Sequence, residues 1–226
     1  MSARRTRPRT DRPSTPREAP RIRDVPAPRR NESAAGGLIP RLFGWPYRAI
    51  LAFLLWTRIR PWQLTLLSLV FTIVAGVLIV AGAWFAAGVA VFAASAADVF
   101  DGSVARHRGE AKRSGAFMDS VLDRVSDMVL FSSLFWALAA DGRRVPAALA
   151  LVTLVISLSV SHVRAEAEAA GVSLTEGLFQ RLERMIAMIL GLVVPGAMEP
   201  VLWLLSVLGG VTVAQRAFAA LTGARW

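Results

Sequence analysis

Four aspartates stand at the ends of two apolar stretches of the sequence. Asp98 and Asp101 are three residues apart, and Asp119 and Asp123 are four residues apart. On an α-helix either spacing places both members of a pair on one face. An unpaired carboxylate at membrane depth costs at least about 2.5 to 3.5 kcal/mol, so this cluster predicts a bound cation or a wet cavity.

The donor atoms available at such a site favour a hard divalent cation. Carboxylates suit Mg2+ or Mn2+, whereas the chain has no Cys and only two His, which excludes thiolate sites and a His-rich zinc site. Four negative charges would accommodate two ions, and two divalent ions side by side form the usual clamp for displacement at phosphorus. The pattern predicts phosphoryl-transfer chemistry with two Mg2+ or Mn2+ ions.

The composition is that of an integral membrane protein. Of the 226 residues, 54% are hydrophobic and 19% are charged, and the mean hydropathy is +0.49, which excludes a disordered chain. The net charge of +10 would suit nucleic-acid binding, but residues 1–37 hold ten Arg against four acidic residues. We expect that segment to be a disordered cytoplasmic Arg/Pro-rich tail, not a secretory signal, and we expect no nucleic-acid partner.

Apolar runs predict an all-α fold for residues 38–226, with six transmembrane helices preceded by an interfacial amphipathic helix. A bilayer core of about 30 Å needs about 20 apolar residues per helix. Leu38–Thr57 mixes basic, aromatic and apolar residues, as interfacial helices do. The six runs cover about 62–84, 86–100, 116–140, 145–163, 185–196 and 200–218.

Basic residues in the connections predict the orientation. Ser103–Gly115 and Arg164–Arg184 are rich in Arg, whereas the first and fifth connections carry no Lys or Arg. The positive-inside rule therefore places both termini and the four aspartates on the cytoplasmic side of the plasma membrane. Arg143 and Arg144 fall on the outer side and do not follow this rule.

Small and basic residues complete a longer pattern around the aspartates. Glycine or alanine at three positions would let a bulky ligand approach the backbone, and an arginine offers a cation to a diphosphate. The pattern reads Asp98-x2-Asp101-Gly102-x2-Ala105-Arg106-x8-Gly115-x3-Asp119-x3-Asp123. It resembles the signature of the CDP-alcohol phosphatidyltransferases. The alternative interpretation is that the aspartates form buried salt bridges with Arg106, Arg113 and Arg124.

The resemblance implies a six-helix membrane enzyme, usually a homodimer, that transfers a phosphatidyl group from CDP-diacylglycerol to an alcohol and releases CMP. It implies that the four aspartates hold two divalent ions and that Asp123 is also the general base for the acceptor hydroxyl. The CDP-diacylglycerol pocket would be lined by Thr65, Gly102, Ala105, Arg106, Lys112 and Gly115. Members often carry Asn or Asp where this chain has Trp62.

Arginines near the cytoplasmic ends of the later helices indicate the acceptor. They could bind a phosphate through bidentate contacts, or they could simply extend towards water from the membrane edge. The surrounding residues resemble a branch of the family, the actinobacterial phosphatidylinositol phosphate synthases, which implies that Arg164, Arg184 and Arg216 hold the phosphate of inositol 1-phosphate. This branch usually has Tyr, Lys and Arg where the chain has His162, Arg164 and Glu166.

Three alternatives remain open. Glycerol 3-phosphate, giving phosphatidylglycerol phosphate, would also need a phosphate-binding arginine cluster. A transporter with a cation site would place acids within helices, but it should show internal repeats or helices broken at the midplane. An inactive lipid-binding relative would be expected to have lost one of the aspartates.

Overall fold

The computed structural model describes residues 39–57, 59–110, 113–171 and 181–223. Within these ranges the chain forms seven α-helices and no strand, which confirms the predicted all-α class. The expected tail over residues 1–37 lies outside the described residues. The helices are α1 (Ile39–Trp56), α2 (Pro61–Val80), α3 (Trp84–His107), α4 (Arg113–Ala140), α5 (Arg144–Ala169), α6 (Arg181–Val193) and α7 (Met198–Gly223).

Four of the described helices, α2, α3, α5 and α7, are long and apolar enough to cross a membrane. Helix α4 has 28 residues, but its first half carries two aspartates and two arginines, which lower its hydropathy. Helix α6 has only 13 residues. Length and apolarity therefore support four of the six predicted spans.

The helices pack as a bundle around an apolar core. Helix α2 contacts α3 and α4, α5 contacts α4 and α7, and α6 contacts α3 and α7. The most buried large side chains include Phe131, Leu134, Leu138, Met188 and Leu202. Many large apolar side chains on the outside of the bundle are exposed, as expected of a surface that contacts lipid.

Glycines allow the closest helix contacts. A Cβ atom on Gly88 of α3 would lie 2.6 Å from Val193 Cγ2 of α6, and one on Gly209 of α7 would lie 2.6 Å from Ile156 Cγ2 of α5. Without a side chain at these positions, the helix backbones can approach each other closely. Gly88 near the start of α3 contacts Val193 at the end of α6, so the two helices run antiparallel. The start of α6 therefore lies beside the second half of α3.

Helix α1 packs against the second half of α3. Leu51 of α1 forms a small buried cluster with Leu64, Phe100 and Val104, and the ring of Tyr47 stacks on that of Phe100 with centroids 5.2 Å apart. Helix α1 therefore lies next to the part of α3 that carries the aspartates.

The two arginines that break the positive-inside rule lie at the opposite end of the bundle. Arg143 precedes α5 and forms an ion pair with Glu199, with Nη2 and Oε2 3.0 Å apart. The carboxylate of Glu199 thus offsets part of the positive charge of Arg143 and Arg144 at this end of the bundle.

Candidate functional site

Three of the four aspartates converge where α3 ends and α4 begins. Asp98, Asp119 and Asp123 each offer one carboxylate oxygen, and these three atoms lie within 4.8 Å of one another. All three side chains are half-buried. Three oxygen donors around one small space fit a hard divalent cation such as Mg2+ or Mn2+.

Asp101, the fourth aspartate, is buried and lies outside this group of three. Its Oδ2 atom accepts a hydrogen bond of 2.6 Å from the hydroxyl of Thr65 on α2. The sequence placed Thr65 in the CDP-diacylglycerol pocket, and in the structure Thr65 contacts the aspartate motif itself. This bond ties α2 to α3 at the level of the site.

Arg181, the first residue of α6, pairs with the aspartates. Its Nη2 atom lies 3.6 Å from Asp98 Oδ2, and its Nη1 atom contacts Asp123 Oδ1. This pairing differs from the alternative of salt bridges to Arg106, Arg113 and Arg124. Arg106 and Arg124 contact serines and a backbone carbonyl instead, and the side chain of Arg113 lies outside the described residues.

A hydrogen-bond network around Ser103 holds Arg106. The Ser103 hydroxyl donates to the Val99 carbonyl and accepts from Tyr47 Oη at 2.8 Å and from Arg106 Nη2 at 3.2 Å. A Cβ atom on Gly102 would lie 3.1 Å from Arg106 Nη1, so glycine leaves room for the guanidinium. The structure therefore brings Gly102 and Arg106 together.

The other residues predicted for this pocket are less constrained. Ala105 is half-buried on α3. Gly115 is exposed at the start of α4, and a Cβ atom there would meet no described atom within 4 Å. Lys112 lies outside the described residues.

Arg164, Arg184 and Arg216, which we call the arginine cluster, come together from α5, α6 and α7. Arg216 of α7 reaches the backbone of α5 one turn before Arg164, and the charges of Arg164 and Arg184 act on it. Each member also has a protein partner: Arg164 donates to Glu168 at 2.8 Å, Arg184 pairs with an aspartate, and Arg216 donates to the Val160 carbonyl at 3.1 Å. Carboxylates pair with two of the three guanidinium groups, and guanidinium groups suit phosphate.

Comparison with known proteins identifies the family. The family model described as CDP-alcohol phosphatidyltransferase matches residues 58–215. The chain belongs to this family. Its membership confirms the predicted enzyme class, a metal-dependent CDP-alcohol phosphatidyltransferase, and a related structure described below contains manganese.

Two curated relatives are named phosphatidylinositol phosphate synthase. The protein from Corynebacterium glutamicum is 38% identical over 169 residues, which cover 70% of this chain and 76% of that protein. The protein from Mycobacteroides abscessus is 36% identical over 148 residues, which cover 62% of this chain and 67% of that protein. The predicted resemblance to the actinobacterial branch of the CDP-alcohol phosphatidyltransferases is confirmed.

Two solved structures of the phosphatidylinositol phosphate synthase from Mycobacterium tuberculosis are also similar. The structure with CDP-DAG bound has a TM-score of 0.70 and 32% identity, and the match covers 77% of this chain and 92% of that one. The structure in complex with manganese and citrate has a TM-score of 0.70 and 32% identity, covering 77% of this chain and 88% of that one.

Asp127 is a charged residue of the site that the sequence analysis missed. It follows Asp123 by four residues on α4, is 3% exposed, and its Oδ2 atom lies 2.8 Å from Arg184 Nη2. It also accepts a hydrogen bond from the Ser157 hydroxyl of α5. The signal was present in the sequence, because Asp119, Asp123 and Asp127 recur every four residues and therefore share one helix face.

His162 and Glu166 depart from the pattern of the actinobacterial branch, and both lie on the exposed face of α5. Both side chains are exposed, and His162 Nδ1 lies 3.9 Å from Glu166 Oε1. Glu166 therefore contacts its own helix and solvent, so its charge need not oppose a phosphate at the arginine cluster.

Proposed function

We propose that the protein transfers the phosphatidyl group of CDP-diacylglycerol to inositol 1-phosphate, giving phosphatidylinositol phosphate and CMP. The observation that carries this proposal is the connection between the aspartates and the arginine cluster. Ion pairs between α4 and α6 join the two groups: Asp123 contacts Arg181, and one turn further along α4 Asp127 contacts Arg184, a member of the arginine cluster. A reacting hydroxyl and a phosphate of one acceptor could therefore be bound side by side.

The aspartates would bind the metal and activate the acceptor. Asp98, Asp101, Asp119 and Asp123 would hold two Mg2+ or Mn2+ ions, which when bound polarise the phosphoryl oxygens. Asp123 would also take the proton of the acceptor hydroxyl, because an unactivated hydroxyl is a poor nucleophile. The hydroxyl oxygen then forms a bond to the phosphorus that carries diacylglycerol, the phosphoanhydride bond breaks, and CMP leaves with the electron pair.

The substrate-binding roles follow from the contacts around the aspartates. Arg106, held by Ser103 over Gly102, would bind the diphosphate of CDP-diacylglycerol. Thr65 would position Asp101, and Ala105, Lys112 and Gly115 would line the rest of the pocket. The arginine cluster would hold the phosphate of the acceptor, and Arg181 would leave the carboxylates when cations bind there.

We also propose that α2 to α7 form six transmembrane helices and that α1 lies at the membrane interface. At 1.5 Å per residue, the 28 residues of α4 are long enough to span a bilayer core. Helix α6, which is shorter, packs against two of the four long apolar helices. The basic connections support a plasma-membrane protein whose termini and site face the cytoplasm, and the family resemblance supports a homodimer.

The test is CMP release from CDP-diacylglycerol and Mg2+ by the purified protein in detergent. Inositol 1-phosphate, glycerol 3-phosphate, free inositol and serine are added separately. The proposal expects CMP release that only inositol 1-phosphate stimulates. Stimulation by glycerol 3-phosphate alone would contradict the acceptor but keep the chemistry, whereas no stimulation by any acceptor would favour an inactive lipid-binding relative.

A further inference from the structure

Asp127 has no role in the proposed chemistry, although it is among the most deeply buried charged residues that the structure describes. Its side chain lies one turn further into the bundle than Asp123 and is 3% exposed. The three carboxylates that come together as a metal site do not include it. Its partners therefore decide what it does.

Asp127 joins three helices through one carboxylate. Its Oδ2 atom on α4 pairs with Arg184 Nη2 on α6 at 2.8 Å and accepts the hydrogen bond of Ser157 on α5. Burying such an ion pair is costly, and apolar residues of similar size would often hold the helices together equally well. A buried pair beside a ligand site is therefore more useful for orientation than for stability.

Arg184 is held against Asp127 through one edge of its guanidinium. The residue is 9% exposed, and its Nε atom is buried without a hydrogen bond to any residue that the structure describes. A guanidinium is planar, so fixing Nη2 against Asp127 restricts the plane in which the other N–H groups point. Arg184 is a member of the arginine cluster, so the orientation of its other N–H groups bears on an anion bound there.

We propose that Asp127 is a positioning residue that acts through Arg184, holding its guanidinium in the orientation that binds the phosphate of the acceptor. Ser157 contributes by fixing the carboxylate. The inference rests on the proposed function, since it assigns the arginine cluster to the acceptor phosphate. It concerns recognition of the acceptor and leaves CDP-diacylglycerol and metal binding to other residues.

The first experiment compares Asp127→Asn with the wild type. We expect the KM for inositol 1-phosphate to rise by about tenfold or more, the size expected when a buried charge pair loses one partner. The KM for CDP-diacylglycerol and the affinity for Mn2+, measured by electron paramagnetic resonance, should stay within about twofold of wild type. Equal increases in both KM values, or an unchanged acceptor KM, would overturn the inference.

A double-mutant cycle tests whether Asp127 acts through Arg184. If it does, Asp127→Asn combined with Arg184→Gln should have the same acceptor KM as Arg184→Gln alone, because the orientation of an absent guanidinium cannot matter. Independent, multiplying effects of the two substitutions would overturn the inference.

A milder pair of variants covers the case in which Asp127→Asn does not fold. Ser157→Ala keeps both charges and should raise only the acceptor KM, whereas an unchanged acceptor KM would overturn the inference. Thr153→Val is the matched control: it removes another buried hydroxyl of α5, one turn away, whose partner is Ser206 of α7. Its acceptor KM should equal that of wild type.

The wild-type protein separates the two claims. If it does not use inositol 1-phosphate, the proposed function fails. If it does, and Asp127→Asn and Ser157→Ala leave the acceptor KM unchanged, only the role of Asp127 fails.

Discussion

Tyr47 of α1 donates a hydrogen bond to Ser103 of α3, with the two oxygens 2.8 Å apart. Ser103 also accepts a hydrogen bond from Arg106, so a helix that we place at the membrane interface is connected to the cation that we assign to the diphosphate. The Tyr47 ring stacks on Phe100, which fixes the direction of its hydroxyl.

We expect Tyr47→Phe to weaken binding of CDP-diacylglycerol. The variant keeps the stacked ring but loses the hydroxyl, and one hydrogen bond contributes about 1 kcal/mol, which corresponds to about fivefold in KM. Trp45→Phe is the control, because Trp45 lies on the same helix with its side chain exposed. A Tyr47→Phe enzyme with an unchanged KM for CDP-diacylglycerol would contradict the role assigned to this network.

The aspartates can be tested by metal binding without turnover. Asp119→Asn should weaken Mn2+ binding by about tenfold or more, because it removes a charged oxygen ligand from a group of three. Electron paramagnetic resonance of Mn2+ gives the affinity directly. Asp141→Asn, an exposed aspartate between α4 and α5, is the control and should bind Mn2+ as wild type does. Equal affinities for both variants would rule out Asp119 as a ligand.

Removal of Arg181 should have the opposite effect on the metal. Its guanidinium lies against Asp98 and Asp123, so a cation must compete with it for the same carboxylates. We expect Arg181→Gln to bind Mn2+ about three- to tenfold more tightly, the effect of removing about 1 kcal/mol of competing charge. Weaker Mn2+ binding would show that Arg181 supports the metal site instead of competing for it.

Adjacent glycines of α7 offer a test of the helix packing. Gly209→Ala should lower the free energy of unfolding by about 1 to 3 kcal/mol, because its Cβ atom would overlap Ile156. Gly210→Ala should keep or raise stability, since a Cβ atom there meets no described atom within 4 Å and alanine is the better helix former. Thermal unfolding in detergent measures both variants. Equal shifts in Tm would contradict the α5–α7 contact.

The sequence predicted the parts of the site that depend on local spacing. Asp119 and Asp123 enter one carboxylate group, as their four-residue spacing on a helix predicts, whereas Asp101 contacts Thr65 and lies outside the group that contains Asp98. The second apolar run continues as helix α3 to His107. This one helix therefore carries Asp98, Asp101 and Arg106. The all-α class followed from the same apolar runs.

Contacts between helices far apart in sequence could not be predicted. Arg181 reaches Asp98 because α6 packs against α3, and nothing in the spacing of either segment specifies that pairing. The bond between Thr65 and Asp101 depends in the same way on how α2 and α3 pack. The four-residue spacing of Asp119, Asp123 and Asp127 can be read from the sequence. The burial of Asp127 and its pairing with Arg184 cannot.

The most direct test of the account follows an isotope from the acceptor into lipid. The protein is incubated with CDP-diacylglycerol, Mg2+ and inositol 1-phosphate labelled in its ring, and the lipids are then extracted. The account predicts that label enters a phospholipid that retains the inositol phosphate, in equal amount to the CMP released, and that Asp123→Asn abolishes both while Asp141→Asn does not. Release of CMP without label in the lipid, or lipid labelled from glycerol 3-phosphate instead, would contradict it.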